Sequence, residues 1–312
     1  MAETEVLLEL RGVGKRFGGA GGLGRLLGQS AAGVLAVDQV SLSLARGEVL
    51  GLVGESGSGK STLARLAVGL LPLSRGQRLW RGQDLDALPA TERRRRQLAM
   101  QMVFQDPYAS LNPRMKVIDL LGEAPRVHGQ VSRAGQAQLV EQLLHQVGLD
   151  AAMMQRYPHQ FSGGQRARLG IARALALRPE LLVCDESVAA LDVSIQAQVL
   201  DLLMDLRREL GLTCLFISHD LAVVRHVSDR VAVMFKGRIV ELAAGGELFE
   251  HPLHPYTQML LASAPRLQAK KLDYRMAQVA RPPAGVETSP VQPAILVEAR
   301  PGHWVAEPRH GM

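Results

Sequence analysis

Three features of the sequence predict an α/β fold with a mostly parallel central sheet. Apolar, β-rich runs alternate with stretches of helical period along most of the chain. Three of these runs, at 99–104, 181–185 and 213–218, deliver a polar residue at or just past their ends: Gln105, Asp185 followed by Glu186, and His219. A fourth, at 48–53, leads straight into a glycine-rich loop from which a helix opens at Lys60. An antiparallel β subdomain near the N-terminus and an inserted helical subdomain complete the expected architecture.

In chain order, residues 6–11 read as a strand, with Phe17 in the loop that follows. Residues 18–33 contain seven glycines, which predicts a flexible insertion. Residues 34–45 alternate well enough for an antiparallel strand, and 48–53 feed the glycine loop. The helix from Lys60 is expected to end near Gly69, ahead of a short strand at 78–81 and an exposed helix carrying Arg93, Arg94, Arg95 and Arg96. From Asp106 the texture turns helical. One segment lies at 117–121, and Ser132 is a candidate N-cap for a helix presenting Leu139, Leu143 and Val147 on one face. This insertion is bounded at about 106–165.

Further on, Ile195, Val199, Leu202, Leu203, Leu206 and Leu210 repeat at helical spacing as core residues, and Gly211 stops the run. Residues 231–235 and 238–241 flank Lys236-Gly237 as a hairpin. The main domain is placed at 1–250. From His251 the pattern loosens into a proline-bearing C-terminal extension, 251–312. His251 and His254 lie among prolines with no nearby carboxylate cluster, which favours a rigid turn over a metal site.

The chain has 312 residues, 47% hydrophobic and 21% charged, which is ordinary globular composition. Its two cysteines, Cys184 and Cys214, fall inside predicted buried strands and read as small core residues of a reducing compartment. The acidic start lacks a secretion signal, and no stretch approaches the roughly 20 apolar residues of a membrane span, so any membrane link is expected to pass through a partner. A net charge of +6 raises a nucleic-acid hypothesis. The densest basic run sits on the exposed helix without aromatic interleaving, so a solvated face is preferred, anionic lipid headgroups beneath a membrane partner rank second, and no direct nucleic-acid partner is expected.

The glycine-rich loop carries the chemistry. Gly54, Glu55, Ser56, Gly57, Ser58, Gly59, Lys60, Ser61 and Thr62 spell GxxxxGK[ST], with one further Thr. The glycines let backbone N–H groups converge on phosphates, and the helix start at Lys60 adds its positive dipole end. Lys60 would reach the β- and γ-phosphates, Ser61 would hold Mg²⁺ and Thr62 would meet a more inward phosphate. A nucleoside triphosphate site follows from these residues alone.

Downstream stand Gln160-Phe161-Ser162-Gly163-Gly164-Gln165-Arg166 and, a short helix later, Leu181-Leu182-Val183-Cys184-Asp185-Glu186. Here the chain resembles the ATPase subunits of ABC transporters, over roughly residues 5–250. The resemblance implies ATP and Mg²⁺ as ligands, with Phe17 stacking on adenine. Gln105 would touch the metal and the attacking water, and Asp185 would bind Mg²⁺. Glu186 would be the general base, and His219 would contact the γ-phosphate. Ser162, Gly163, Gly164 and Gln165 would cap the γ-phosphate held by the opposite subunit, and Asp192 would lie at that dimer interface. One departure is Ser187, where the family usually has proline. No catalytic group is lost by it, and activity is expected to survive.

The phrase 102–113, the phrase 192–198 and His254-Pro255-Tyr256-Thr257 resemble the oligopeptide/dipeptide/nickel importer branch. That implies a second ATPase subunit in a homo- or heterodimer, two membrane permeases and a periplasmic or extracellular solute-binding protein, at the cytoplasmic face of the membrane. Peptides are the expected cargo. Nickel or another small solute ranks behind, and a soluble ABC ATPase acting on nucleic acid ranks last, since neither a second cassette nor a long coiled-coil insertion is present.

Overall fold

The computed structural model describes residues 5–18, 33–106, 110–189, 191–263 and 296–306. β1 (Val6–Phe17) and β2 (Val34–Ala45) pair antiparallel, from Val6 opposite Ala45 to Phe17 opposite Val34. β1 therefore runs past the predicted 6–11, and Phe17 is a strand residue, not a loop residue. Register shifts between Leu10 and Val13 and again before Lys15 keep Gly12 and Gly14 within the pairing, where a propensity reading stops at the first glycine. Residues 19–32 of the predicted insertion lie outside the described residues.

β3 (Val49–Val53) enters a larger sheet and is followed by α1 (Lys60–Ala67). β4 (Arg75–Trp80) and β5 (Gln83–Asp84) return to the first sheet, whose order is β2-β1-β4-β5. α2 (Ala90–Gln97) carries the four arginines and buries none of its residues, as expected of a solvated face. β6 (Met100–Val103) precedes the helical stretch, made of α3 (Val117–Val127), α4 (Gln136–Gln146), two short 3₁₀ turns and α5 (Gly163–Leu175). Then come β7 (Leu181–Asp185), α6 (Val193–Leu210), β8 (Thr213–Ile217) and α7 (Leu221–Val227). β9 (Arg230–Phe235), β10 (Arg238–Ala244), α8 (Gly245–Glu250), α9 (Pro255–Ser263), β11 (Leu296–Arg300) and β12 (His303–Ala306) follow among the described residues.

The large sheet has the order β11-β12-β10-β9-β3-β8-β7-β6. β9, β3, β8, β7 and β6 run parallel, and β10, β12 and β11 add an antiparallel edge. Both faces of its centre are covered. Leu50, Leu52, Val183, Leu215 and Ile217 pack with α1 and the first sheet, while Val49, Val53, Cys184, Cys214 and Phe216 pack toward the helical side. At about 1.5–3 kcal/mol per fully buried large aliphatic side chain, this double burial holds the parallel strand ends in fixed register. Arg78, almost wholly buried, ties the two layers together by donating to Leu66 O at 2.6 Å and to Asp86 at 2.9 Å.

Three expectations are corrected. α4 starts at Gln136 with Gly135 as its cap residue, not at Ser132, whose hydroxyl instead accepts from Gly135 N–H at 3.2 Å in a turn. Gln136 anchors that start through its buried side chain, which donates to Ile118 O at 3.0 Å. In α6, Val199, Leu203 and Leu206 are core residues, but Leu210 is 44% exposed and Ile195 and Leu202 are only partly buried. Beyond the irregular 251–254, the described parts of the predicted loose extension are regular, as α9 and the β11–β12 hairpin; prolines 282, 283, 290 and 293 lie outside them.

β12 pairs with β10, placing Glu241 opposite Val305 and Leu242 opposite Trp304. The Glu241 carboxylate, fully buried, meets His303 Nε2 at 2.7 Å and accepts from the amides of Leu253 and His254 at 2.8 and 3.0 Å. Removing His303 leaves the buried carboxylate with only those two amide donors. His303→Ala is therefore expected to lower unfolding free energy by about 1–3 kcal/mol, read by urea denaturation. Among the described residues no helix is long and apolar enough to cross a membrane.

Candidate functional site

The parallel order β9-β3-β8-β7-β6 brings the C-terminal ends of β3, β8, β7 and β6 to one edge of the sheet, where the chain leaves each strand toward the same side. β3 delivers the loop 54–59. Gly54, Gly57 and Gly59 have φ of 149°, 81° and 108°. A Cβ at Gly54 would lie 2.1 Å from Met234 O, and one at Gly59 2.3 Å from Ala36 O, so backbone approach as well as φ requires glycine there. Gly59 caps α1 without any side-chain hydrogen bond, which leaves the first-turn N–H groups of the helix directed into the loop.

Lys60 is only 4% exposed and its Nζ donates to Gly54 O and Glu55 O, each at 2.8 Å. Burial pushes its ammonium below the ordinary lysine value, while the carboxylates of Glu186, Asp185 and Glu55 pull the other way. Ser58 Oγ is buried without a hydrogen-bond partner, an orphan hydroxyl at the loop's inner side. Glu55, Ser56 and Gly57 are exposed, and Ser61 and Thr62 are half-buried at the helix start.

Ser61 Oγ donates to Asp185 Oδ1 at 2.8 Å across 124 positions of sequence. Burial raises the Asp185 carboxyl above its usual range, opposed by the Ser61 hydrogen bond and by Arg65. Two hard oxygen donors thus meet beside the loop, a set suited to Mg²⁺. Asp185 and Ile217 are neighbours across β7 and β8, so Glu186 and His219 emerge side by side. Glu186 has φ 47°, a sparsely populated conformation for a non-glycine residue, and its N–H donates to Ile217 O at 3.0 Å.

Gln105 Nε2 donates to Glu186 Oε2 at 2.9 Å, and His219 Nδ1 lies 3.5 Å from the same oxygen. Three strand ends therefore converge on one carboxylate, whose Oε1 has no hydrogen-bond partner among the described residues. His219 is 61% exposed, on the solvent side of the cluster. Phe17 stands apart at the end of β1, 41% exposed, with Lys15 Nζ 5.4 Å from its ring centroid.

Ser162 is the N-cap of α5. Its Oγ accepts from Gln165 N–H at 3.4 Å, and Gln165 Oε1 accepts from Ser162 N–H at 3.0 Å. Among the described residues these groups make no hydrogen bond to the phosphate loop or to Glu186. Gly163 and Gly164 abut Leu191 and Ile195, so the Ser162–Gln165 segment packs on the segment bearing exposed Asp192, the cap residue of α6. One chain thus assembles Lys60, Ser61, Gln105, Asp185, Glu186 and His219, and leaves Ser162–Gln165 outward.

Sequence reasoning missed Tyr256, whose Oη accepts from Glu55 N–H at 3.0 Å. It also missed the Glu241–His303 pair behind it. The His254-Pro255-Tyr256 stretch was visible, but nothing in it signals contact with a loop 201 positions away.

Residues 37–189 match the ABC transporter family model, and 240–289 match that of the oligopeptide/dipeptide transporter C-terminal region. The chain is 47% identical over 322 residues to the oligopeptide transport ATP-binding protein AppF of Bacillus subtilis, covering 99% of this chain and 97% of that protein. It is 52% identical over 231 residues to OppF of Salmonella typhimurium, covering 74% of this chain and 69% of OppF. Among solved structures it is similar to cbiO1 from Clostridium perfringens, with TM-score 0.67, 26% identity and coverage of 79% of this chain and 92% of that one. A dimeric ATP-binding cassette bound to ADP and Pi superposes with TM-score 0.65 at 25% identity, covering 76% of this chain and 98% of that one.

Proposed function

We infer the working of this chain from one premise: it belongs to the ATP-binding subunits of ABC transporters, in the oligopeptide/dipeptide branch. It is an ATP-binding and ATP-hydrolysing subunit of an ABC importer that powers peptide uptake. The observation that carries the catalytic part is the convergence of Gln105 and His219 on the Glu186 carboxylate beside Ser61–Asp185.

In the mechanism we propose, the loop amides and the open first turn of α1 bind the phosphates, and Lys60 Nζ keeps its bond to Gly54 O while turning from Glu55 O toward the β- and γ-oxygens. Ser61 and Asp185 would hold Mg²⁺, with Gln105 reaching it; when bound, the ion supplies charge neutralisation on the phosphates. Glu186 uses its Oε1, which bears no hydrogen bond among the described residues, to orient a water in line with the γ-phosphorus and takes its proton. The water oxygen bonds to the γ-phosphorus as the bond from that phosphorus to the bridging oxygen breaks, leaving ADP and inorganic phosphate. Gln105, bonded to Oε2, fixes the carboxylate's rotation, and His219 holds its outer side and meets the γ-phosphate. Phe17 would stack on the base.

The outward Ser162–Gln165 segment serves the nucleotide of a second subunit, so the working site is shared between two ATPase chains, with Asp192 at their interface. Closing and reopening of that pair would drive two permeases fed by a solute-binding protein, with this chain peripheral on the cytoplasmic face. The 1–250 and 251–312 division stands as part of this reading. The test is uptake into vesicles holding the permeases, both ATPase subunits and the binding protein. ATP-dependent accumulation of labelled oligopeptide is expected; accumulation of nickel instead, with none of peptide, overturns the cargo.

A further inference from the structure

Tyr256 is the second residue of α9, in the C-terminal extension, and is 5% exposed. Its ring packs on Phe235 with centroids 4.2 Å apart, and its hydroxyl accepts from Glu55 N–H at 3.0 Å. That N–H belongs to the same peptide unit as Gly54 O, which receives Lys60 Nζ at 2.8 Å. A peptide unit is planar and rigid, so fixing its N–H edge fixes the direction of its carbonyl. Gly54, at φ 149°, has no Cβ to restrain rotation of that plane by itself.

Tyr256 is held from behind in turn. Its N–H donates to His254 Nδ1 at 3.1 Å, and the amides of Leu253 and His254 donate to the Glu241 carboxylate that His303 also meets. Hydrogen bonds and rigid peptide units thus run from the last β-hairpin to the phosphate-binding lysine.

We propose that Tyr256 is a positioning residue for nucleotide binding: its hydroxyl sets the Gly54–Glu55 peptide and through it the Lys60 ammonium, with the Glu241–His303 pair keeping the hydroxyl in place. The proposal rests on the reading of the loop as the ATP site. Tyr256→Phe keeps the ring on Phe235 and removes only the acceptor.

The experiment is equilibrium binding of ATP with Mg²⁺ to the full-length chain in a Glu186→Gln background, which suppresses turnover. Tyr256→Phe is expected to weaken ATP about three- to tenfold, the worth of one ordinary hydrogen bond, with its unfolding midpoint unchanged. In a Lys60→Ala background, read at millimolar nucleotide, the same substitution is expected to cost nothing further, because the two act as a unit. Unchanged affinity overturns the proposal. So does an equal loss with and without Lys60, or a loss that tracks a fallen unfolding midpoint. If the chain with Tyr256 intact binds no ATP, the nucleotide reading itself fails.

Discussion

Replacing Glu186 by glutamine lowers ATP turnover by about 10²- to 10⁴-fold and leaves nucleotide affinity close to that of the unaltered chain. The range is what a positioned general base contributes, and the substitution removes that base while keeping its shape. A glutamine at 186 can still offer an oxygen to Gln105 Nε2, now 2.9 Å from Oε2, and the left-handed backbone at 186 is set by the bond to Ile217 O, which involves no side chain. The phosphate loop, Lys60 and the Ser61–Asp185 pair are untouched. Single-turnover kinetics together with equilibrium ATP binding separate the two quantities. Equal losses of rate and affinity would assign Glu186 to binding instead of chemistry.

Lys60→Ala acts at the opposite step. The Lys60 ammonium is buried beside the carboxylates of Glu55, Asp185 and Glu186, and its two present acceptors are backbone carbonyls. Exchange of the Glu55 carbonyl for a phosphate oxygen converts a neutral acceptor into a charged one, worth about 1.5–3 kcal/mol for a charge-assisted bond, or about 10- to 150-fold in ATP affinity. Removing it also leaves Gly54 O and Glu55 O facing the phosphates without a cation between. Isothermal titration with ATP and with adenosine checks the claim: ATP binding should fall by this factor and adenosine binding should stay the same. A parallel fall for adenosine would mean that the loop had collapsed.

What the sequence disclosed, it disclosed through short-range patterns tied to backbone geometry. The spacing of Gly54, Gly57 and Gly59 is dictated by positive φ and by the approach of Met234 O and Ala36 O, so it is written locally. Gln105, Asp185, Glu186 and His219 were recognisable because each follows an apolar run, and parallel pairing of such runs must align their ends. The rest depended on pairings that no local pattern carries. Gly12 and Gly14 hid the continuation of β1 because the bulges that accommodate them are set by β2. Ser132 offered a credible cap, yet Gln136 won the helix start through a tertiary bond to Ile118 O. β12 joins β10 across some sixty positions, and its first residue, His303, is polar by composition but buried by its bond to Glu241. Tyr256 likewise shows its use only once α9 stands beside the loop.

The central claim is that a complete site forms only when the loop of one chain meets the Ser162–Gln165 segment of another. Its most direct measurement is size-exclusion chromatography with light scattering on the Glu186→Gln chain, alone and mixed with the second ATPase subunit proposed above, with and without ATP and Mg²⁺. The account predicts a 33.8 kDa species without nucleotide and a species of about twice that mass with ATP bound, absent when Lys60 is alanine. A chain that binds ATP yet stays at monomer mass in both mixtures would contradict it.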